Sequence, residues 1–192
     1  MPNWMLGLIG ALALTSLAGF ALWLRAHRRN VPAINLLATE DPVTGFANHD
    51  AFDRRFGEEF RRAKSFGSPL GMMALELDGF AEHAETVSEG ELAEVLRHIA
   101  QVMRLELRPT DILARPAAGQ FAVICPESHI DELIDLRSKL EHAFEADQKM
   151  NWEVNIGVAE LEDGDASPTD LVTRADDALY SRQRAHKLVL VS

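Results

Sequence analysis

Residues 111–126 are the stretch of this sequence best suited to approach a ligand. Two short apolar runs, Ile112–Ala114 and Phe121–Cys125, flank a connection of small residues that contains a glycine. Apolar runs on both sides of such a connection predict a β-hairpin. The expected tip, 117–121, carries no charge. Small side chains at a hairpin tip leave room for the backbone to come close to a ligand, so the tip is a candidate binding element.

The remaining chemistry-bearing residue types exclude several classes of site. The single cysteine, Cys125, lies in an apolar run, so an internal disulfide framework is excluded and a reducing compartment is expected. The seven histidines are scattered without a pair at metal-ligand spacing, and we therefore predict no zinc site. A chain of 192 residues has room for one ordinary domain and an appendage.

Several motifs resemble, in order and spacing, those of the GGDEF family, the diguanylate cyclases that make cyclic di-GMP from two GTP. The tip, Ala117-Ala118-Gly119-Gln120-Phe121, is similar to the family's signature hairpin. The others are Asp41-Pro-Val-Thr-Gly-Phe-Ala-Asn48 (similar to DxLTGLxN), Leu75–Phe80 (LDIDxF), Ile156–Ala159 (SIGVA) and Ala175–Tyr180 (ADxALY). The resemblance covers 41–191. It implies an α/β (α+β) fold, in which helices cover a palm-like, ferredoxin-related central antiparallel sheet.

Local patterns place the elements of such a fold. Helical apolar spacing and caps predict helices over 50–64, 91–107, about 130–145, and from Ser167-Pro168 onward. Apolar runs predict strands over 70–77 and 152–161, and a last strand over 188–191 at a sheet edge. Ser128 is predicted to cap the third helix, with Asp131 as the capping-box acid.

The resemblance implies that the groups that hold the catalytic metals are degraded. The family's first metal carboxylate falls on Glu76, whose carboxylate reaches roughly 1.5 Å further than that of an aspartate. The second falls on Gly119, which offers no ligand, and an indispensable glutamate falls on Gln120. The two glycines that pack against the nucleotide are replaced by Ala117 and Ala118, which disfavour positive φ.

The substrate contacts that the family implies are also missing. A phosphate-binding lysine falls on Ala81, and the guanine-reading asparagine and aspartate fall on Ala84 and Ala93. The triphosphate-binding lysine and arginine fall on Gln183 and Lys187, of which only the second keeps a charge. We therefore predict a pseudoenzyme with no catalytic residue, no metal site and no cofactor.

One functional motif of the family is kept. Arg108-Pro-Thr-Asp111 resembles the RxxD motif, which implies an inhibitory site that binds cyclic di-GMP. A guanidinium can donate two hydrogen bonds to guanine or phosphate, and a carboxylate can accept hydrogen bonds from guanine. Arg137 or Lys139 could add a further cation. The alternative is structural, with Arg108 at a helix C-terminus and Asp111 at the start of a strand.

The N-terminal residues 4–24 contain no charged side chain and are long enough to cross a bilayer as one helix. Three arginines follow within 25–29, so the positive-inside rule predicts a cytoplasmic C-terminal domain. A cleaved signal peptide is disfavoured because no basic residue precedes the run and no A-x-A-like site follows it. We predict a single-pass anchor, Trp4–Leu24, in the bacterial inner membrane, a basic segment and connector over 25–40, and a degenerate GGDEF domain over 41–192.

Small residues recur every four positions in the predicted anchor, at Gly7, Ala11, Thr15 and Gly19. Such a stripe lets two membrane helices approach closely and pair, which predicts a homodimer. The alternative is the Ala- and Gly-rich composition common in short anchors. The connector is too short for a sensory domain, so we expect no sensor there.

The charge of the remaining chain restricts its partners. Residues 30–192 hold 16 basic and 30 acidic residues, a formal charge of −14. This domain is not expected to bind nucleic acid or an anionic membrane surface. Two functions remain: a membrane-tethered cyclic di-GMP receptor that passes ligand occupancy to an unidentified protein partner, and a nucleotide-independent scaffold that recruits a protein to the membrane.

Overall fold

The computed structural model describes residues 39–147 and 152–190, with side chains through Arg184. In chain order the elements are α1 (His49–Phe66), β1 (Leu70–Leu77), α2 (Phe80–Ala84), α3 (Glu89–Glu106), β2 (Ile112–Ala117), β3 (Gln120–Pro126), α4 (Ile130–Ala146), β4 (Val154–Glu160) and α5 (Pro168–Leu190). The strands form one antiparallel sheet in the order β2-β3-β1-β4. The predicted α+β fold with a central antiparallel sheet is thereby confirmed.

The eight-residue strand β1 lies in the middle of the sheet and organises the core. Leu75 pairs with Phe121 of β3 on one side and with Ile156 of β4 on the other. Met73 and Leu75 lie in a cluster of large side chains with α3 and α4. The opposite face carries smaller residues, among them Ala74 and Ala122, and is covered by α1 and α5. The two faces of the sheet are therefore packed differently.

The helix boundaries follow from local hydrogen bonds. Asn48 caps α1 by accepting from the Ala51 N–H, and Gly67 ends it in the left-handed conformation at φ 64°. Ser88 and Glu91 form a capping box at the start of α3. These caps fix where α1 and α3 begin and where α1 ends before β1.

Two predictions about local structure are wrong. Helix α4 is capped at His129 with Glu132, whose carboxylate accepts from the His129 N–H at 2.9 Å, whereas Ser128 is buried and donates to the Pro126 carbonyl. The last helix continues to Leu190, so the strand predicted over 188–191 is helical where the structure describes it. An apolar run of four residues does not distinguish a strand from the end of a helix.

The predicted anchor (4–24) and the residues up to 38 lie outside the described residues, as does Val191. Within the part of the chain that the structure describes, no helix is long and apolar enough to cross a membrane.

Candidate functional site

A two-residue turn, Ala118–Gly119, joins β2 and β3 and forms the hairpin tip. Gly119 has a φ of +68°, a conformation in which a side chain is strained. Its carbonyl accepts a hydrogen bond from the Leu77 N–H at 3.1 Å. The tip is thereby fixed against the end of β1, where Glu76 lies directly opposite Gln120 in the sheet.

Both carboxylate oxygens of Glu76 are engaged by side-chain amides. Gln120 Nε2 donates to Oε1 at 3.3 Å, and Gln183 Nε2, from α5, donates to Oε2 at 2.9 Å. The structure thus brings together two positions at which the resemblance placed catalytic carboxylates, Glu76 and Gln120, and one at which it placed a triphosphate-binding lysine, Gln183. Each amide donates an N–H to the carboxylate. These two contacts of Glu76 are therefore hydrogen bonds from neutral groups, and neither involves a cation.

The donor set at this edge of the sheet does not fit a catalytic divalent metal. Mg²⁺ requires several oxygen ligands, whereas Gly119 contributes no side chain and Glu76 is bound by amides. Among residues 39–147 and 152–190, no group of three or more His, Cys, Asp or Glu side chains could hold an ion.

The aromatic ring of Phe80 packs against the hairpin tip. A Cβ built on Gly119 would lie 2.6 Å from this ring, so any larger residue at that position requires Phe80 to move. Phe80 is itself held by Trp152, with ring centroids 5.9 Å apart, and His83 packs edge-on against Trp152 at 4.6 Å. A carboxylate therefore cannot be added at position 119 without repacking this cluster.

Next to the tip is an open recess of about 560 Å³, which we call the hairpin recess. Three carboxylates line it, those of Glu76, Asp78 and Glu82, together with Gln183. No Lys or Arg with a described side chain lines it; the side chain of Lys187 lies outside the described part. A nucleoside triphosphate is stabilised by cations around its phosphates, whereas the charged side chains described in this lining are carboxylates.

The turn at 108–111 is the second candidate site, and its own hydrogen bonds hold it closed. The Arg108 N–H donates to Asp111 Oδ2 at 2.8 Å, and the Asp111 N–H donates to the Arg108 carbonyl at 3.0 Å. Asp111 is 7% exposed, and its Oδ1 is buried without a hydrogen-bond partner. Burial raises the pKa of Asp111, while the Arg108 N–H and guanidinium oppose that shift.

The Arg108 side chain projects from this turn toward α4. Its side chain is 45% exposed; Nη1 donates to Ser128 Oγ at 3.3 Å and Nη2 contacts Glu132 at 3.4 Å. The two further cations considered from the sequence are paired elsewhere. Lys139 lies 3.0 Å from Glu106, and Arg137 lies 3.8 Å from Glu141.

Sequence reasoning found these positions but not their contacts. The bond between Gln183 and Glu76 joins residues 107 apart in the chain, and no local pattern signals it. The inward carboxylate of Asp111 was also missed. The sequence did contain a signal for this contact. Asp111 follows Arg108 by three residues, a spacing typical of a side chain that bonds the backbone of its own turn.

Comparison with known proteins identifies the family to which the chain belongs. The family described as "Diguanylate cyclase, GGDEF domain" matches residues 38–188. The chain belongs to the GGDEF family.

Two curated relatives are diguanylate cyclases. DgcP of Pseudomonas aeruginosa is 28% identical over 154 residues, which are 77% of this chain and 23% of DgcP. A diguanylate cyclase of Vibrio cholerae is 25% identical over 153 residues, which are 77% of this chain and 47% of that protein. The chain thus spans less than half the length of these relatives.

Two solved structures share the fold. The GGDEF domain of DgcB from Caulobacter crescentus, in complex with c-di-GMP, gives a TM-score of 0.71 at 25% identity and covers 78% of this chain and 89% of its own. The diguanylate cyclase SiaD of Pseudomonas aeruginosa, in complex with its activator SiaC, gives a TM-score of 0.70 at 23% identity. The match covers 95% of this chain and 74% of SiaD.

Proposed function

We propose that this chain is a catalytically inactive GGDEF protein that is anchored in the bacterial inner membrane by Trp4–Leu24 and binds cyclic di-GMP through Arg108 and Asp111. The observation that carries the inactivity is the pair of amide hydrogen bonds on Glu76. The GGDEF domain lies on the cytoplasmic side, and the chain reports ligand occupancy to a protein partner. Pairing of two anchors through Gly7, Ala11, Thr15 and Gly19 is part of this proposal.

The hairpin recess supports the loss of catalysis independently of any single substitution. Joining two GTPs needs divalent ions and cations around the phosphates. The recess offers three carboxylates and no described Lys or Arg, and Phe80 fills the space beside Gly119. Removing a single stabilising group costs an enzyme about 10²–10³ in rate, and here several are absent together.

The geometry around Arg108 supports a receptor. The guanidinium is about half exposed, and its contacts with Ser128 and Glu132 are both longer than 3.2 Å, so a ligand can displace them. Asp111 holds the backbone of the turn, which makes it a positioning residue for Arg108. The similar GGDEF domain of DgcB has been solved in complex with c-di-GMP.

Calorimetry on the full chain in detergent micelles tests the receptor. We expect saturable heat from cyclic di-GMP, and at least a tenfold loss of affinity for Arg108→Ala. Arg62→Ala is the matched control, since Arg62 is also exposed and paired only with glutamates in the described contacts, Glu59 on its own helix and Glu127 in the loop after β3. The receptor proposal would be contradicted by the absence of heat at high micromolar ligand, or by equal binding of the ligand to the Arg108→Ala and Arg62→Ala variants.

Incubation of the same preparation with GTP and Mg²⁺ tests the inactivity. We expect no cyclic di-GMP by mass spectrometry, also from the Gly119→Asp/Gln120→Glu double variant. Formation of cyclic di-GMP by the unmodified chain would contradict the proposal that the protein is catalytically inactive.

A nucleotide-independent scaffold is the second candidate. The burial of Asp111 favours it, because a carboxylate that bonds its own turn is withdrawn from a ligand. The similar protein SiaD has been solved in complex with an activator protein. Affinity capture from membranes, with and without cyclic di-GMP, separates the two. A partner retained equally in both conditions, and by the Arg108→Ala variant, supports the scaffold.

A further inference from the structure

A second cavity, which we call the α1–α5 cavity, lies between helices α1 and α5 over the sheet. Its volume is about 480 Å³, and the aromatic rings of Phe52 and Phe56 line it from α1. Val172 lines it from α5, and Ala74 and Ala122 line it from the sheet. Side chains this small on the sheet leave the two helices separated by empty space. The volume falls within the range of pockets that bind small molecules.

Acidic side chains predominate among the titratable groups of this cavity. Asp53 of α1, Glu76 of β1 and Asp176 of α5 all line it. Among the residues that the structure describes, no Lys or Arg lines it, and His49 is its only basic residue. An anionic ligand would meet three carboxylates without a compensating fixed cation.

The geometry points to a binding site for a small aromatic amine, with its ring between Phe52 and Val172 and its ammonium group at Glu76 and Asp176. An apolar ring gains from leaving water, and aromatic rings also attract each other in offset or edge-on contact. The ammonium has three donors and no acceptor, which suits carboxylates. Glu76 can accept further hydrogen bonds, because each carboxylate oxygen has two lone pairs and one amide donor is recorded on each.

This site is separate from the proposed nucleotide receptor. None of the residues that line the α1–α5 cavity belongs to the 108–111 turn or to α4. Binding of an amine therefore does not depend on Arg108, and each proposal can fail while the other stands.

The test uses tryptamine as the probe, with indole-3-acetate as a control that has the same ring and the opposite charge. We expect calorimetric titration of the full chain in detergent micelles to give saturable binding of tryptamine and none of indole-3-acetate at the same concentration. Empty micelles supply the blank for partitioning into detergent. Equal binding of the two compounds, or no binding of either, would overturn the proposal.

Two variants locate the binding. Asp176→Asn removes one carboxylate and is expected to weaken tryptamine at least tenfold, whereas Asp163→Asn, an exposed carboxylate outside the cavity, leaves it unchanged. Val172→Trp fills the space and is expected to abolish binding, with circular dichroism as the check on folding. Binding unaffected by Asp176→Asn would contradict the proposal even if Val172→Trp does not fold. Self-association that Asp176→Asn or Val172→Trp abolishes, without amine binding, would assign the cavity to a second copy of the chain.

Discussion

The turn at 41–48 and the hairpin recess both belong to family motifs, but their side chains are used in different ways. In the turn, Asp41 Oδ1 accepts from the N–H and hydroxyl of Thr44 at 2.8 and 2.7 Å. Its Oδ2 is paired with Arg115 at 2.9 Å, and both side chains are about seven-eighths buried. Asn48 caps α1. Asp41 thus ties the turn to β2 through Arg115, and Asn48 ties it to α1.

In the hairpin recess, the side chains at positions 76, 120 and 183 are hydrogen-bonded to one another. Glu76 is held by Gln120 and Gln183, and Gly119 has no side chain to offer. The difference indicates which side chains the fold itself requires. We propose that residues which bond other groups of the protein keep the family motif, whereas those that would face a substrate depart from it. The following predictions test that division, beginning with the largest effect.

Gly157 of β4 belongs with the fold-supporting positions, and we expect its replacement to be the most damaging. A Cβ there would lie 2.1 Å from the Ala175 carbonyl oxygen and 2.4 Å from the Leu179 nitrogen, both in the backbone of α5. Because neither atom can move without displacing the helix, Gly157→Ala should lower the free energy of unfolding by about 3 kcal/mol. Urea denaturation measures this. Gly164→Ala, where a Cβ meets nothing within 4 Å, is the control.

Asp41→Asn removes one charge from the turn at 41–48 without changing side-chain size. It leaves the guanidinium of Arg115 mostly buried, with only 12% of its side chain exposed and without a counter-charge. Breaking a buried pair from one side costs about 3 kcal/mol, and we expect a loss of that order in urea denaturation. Arg62→Ala breaks an exposed ion pair, and its loss in the free energy of unfolding should stay below about 1 kcal/mol. Equal losses for Asp41→Asn and Arg62→Ala would show that the turn contributes little to the stability of the domain.

Glu76→Gln makes the same change in the hairpin recess and should cost less. Its partners are neutral amides that can turn toward other acceptors or water, so about 1 kcal/mol is expected. Loss of the charge also removes repulsion on Asp176. Urea denaturation of Asp41→Asn and Glu76→Gln in parallel tests the contrast directly. A larger loss for Glu76→Gln would mean that the recess, and not the turn, supports the fold.

Much of the fold could be predicted because local patterns specify it. The hairpin, the strand at 70–77 and the helix after Asn48 have apolar periods and caps that act within a few residues. The prediction failed at 188–191, where four apolar residues fit the end of a helix as well as a strand. It also failed at Ser128, since the neighbouring His129 supplies the cap.

The site was less predictable than the fold, because its contacts are not local. The residue types at positions 76, 120 and 183 could be read from the motifs, but their convergence depends on how α5 packs across the sheet. The α1–α5 cavity was missed. Its available signal was the placement of small residues, such as Ala74 and Ala122, where larger ones would fill the space. Such volume effects appear only once the facing helices are positioned.

The effect expected for Asp176 is the smallest and the most specific, because the pKa of Asp176 responds to the charge of Glu76 in the recess. Burial raises the pKa of Asp176, and the charges of Asp177 and Glu76 raise it further. The folded protein therefore binds this proton more tightly than the unfolded chain, whose aspartates titrate near pH 4. The stability that Asp176 contributes must then fall as the pH rises from about 4 through its raised folded pKa.

Urea denaturation of the unmodified chain and of Asp176→Asn, at intervals between pH 4 and 7, measures that fall as a difference in the free energy of unfolding. Groups that titrate in both proteins cancel in this difference. In a Glu76→Gln background the fall should be shallower, because one of the charges that raise the pKa is gone. A control pair with and without Asp163→Asn, an exposed aspartate, should give a flat difference. If the difference for Asp176 rises with pH, or ignores Glu76→Gln, then the carboxylate at position 76 does not act on α5. The contrast between the hairpin recess and the turn at 41–48 would then lose its electrostatic basis.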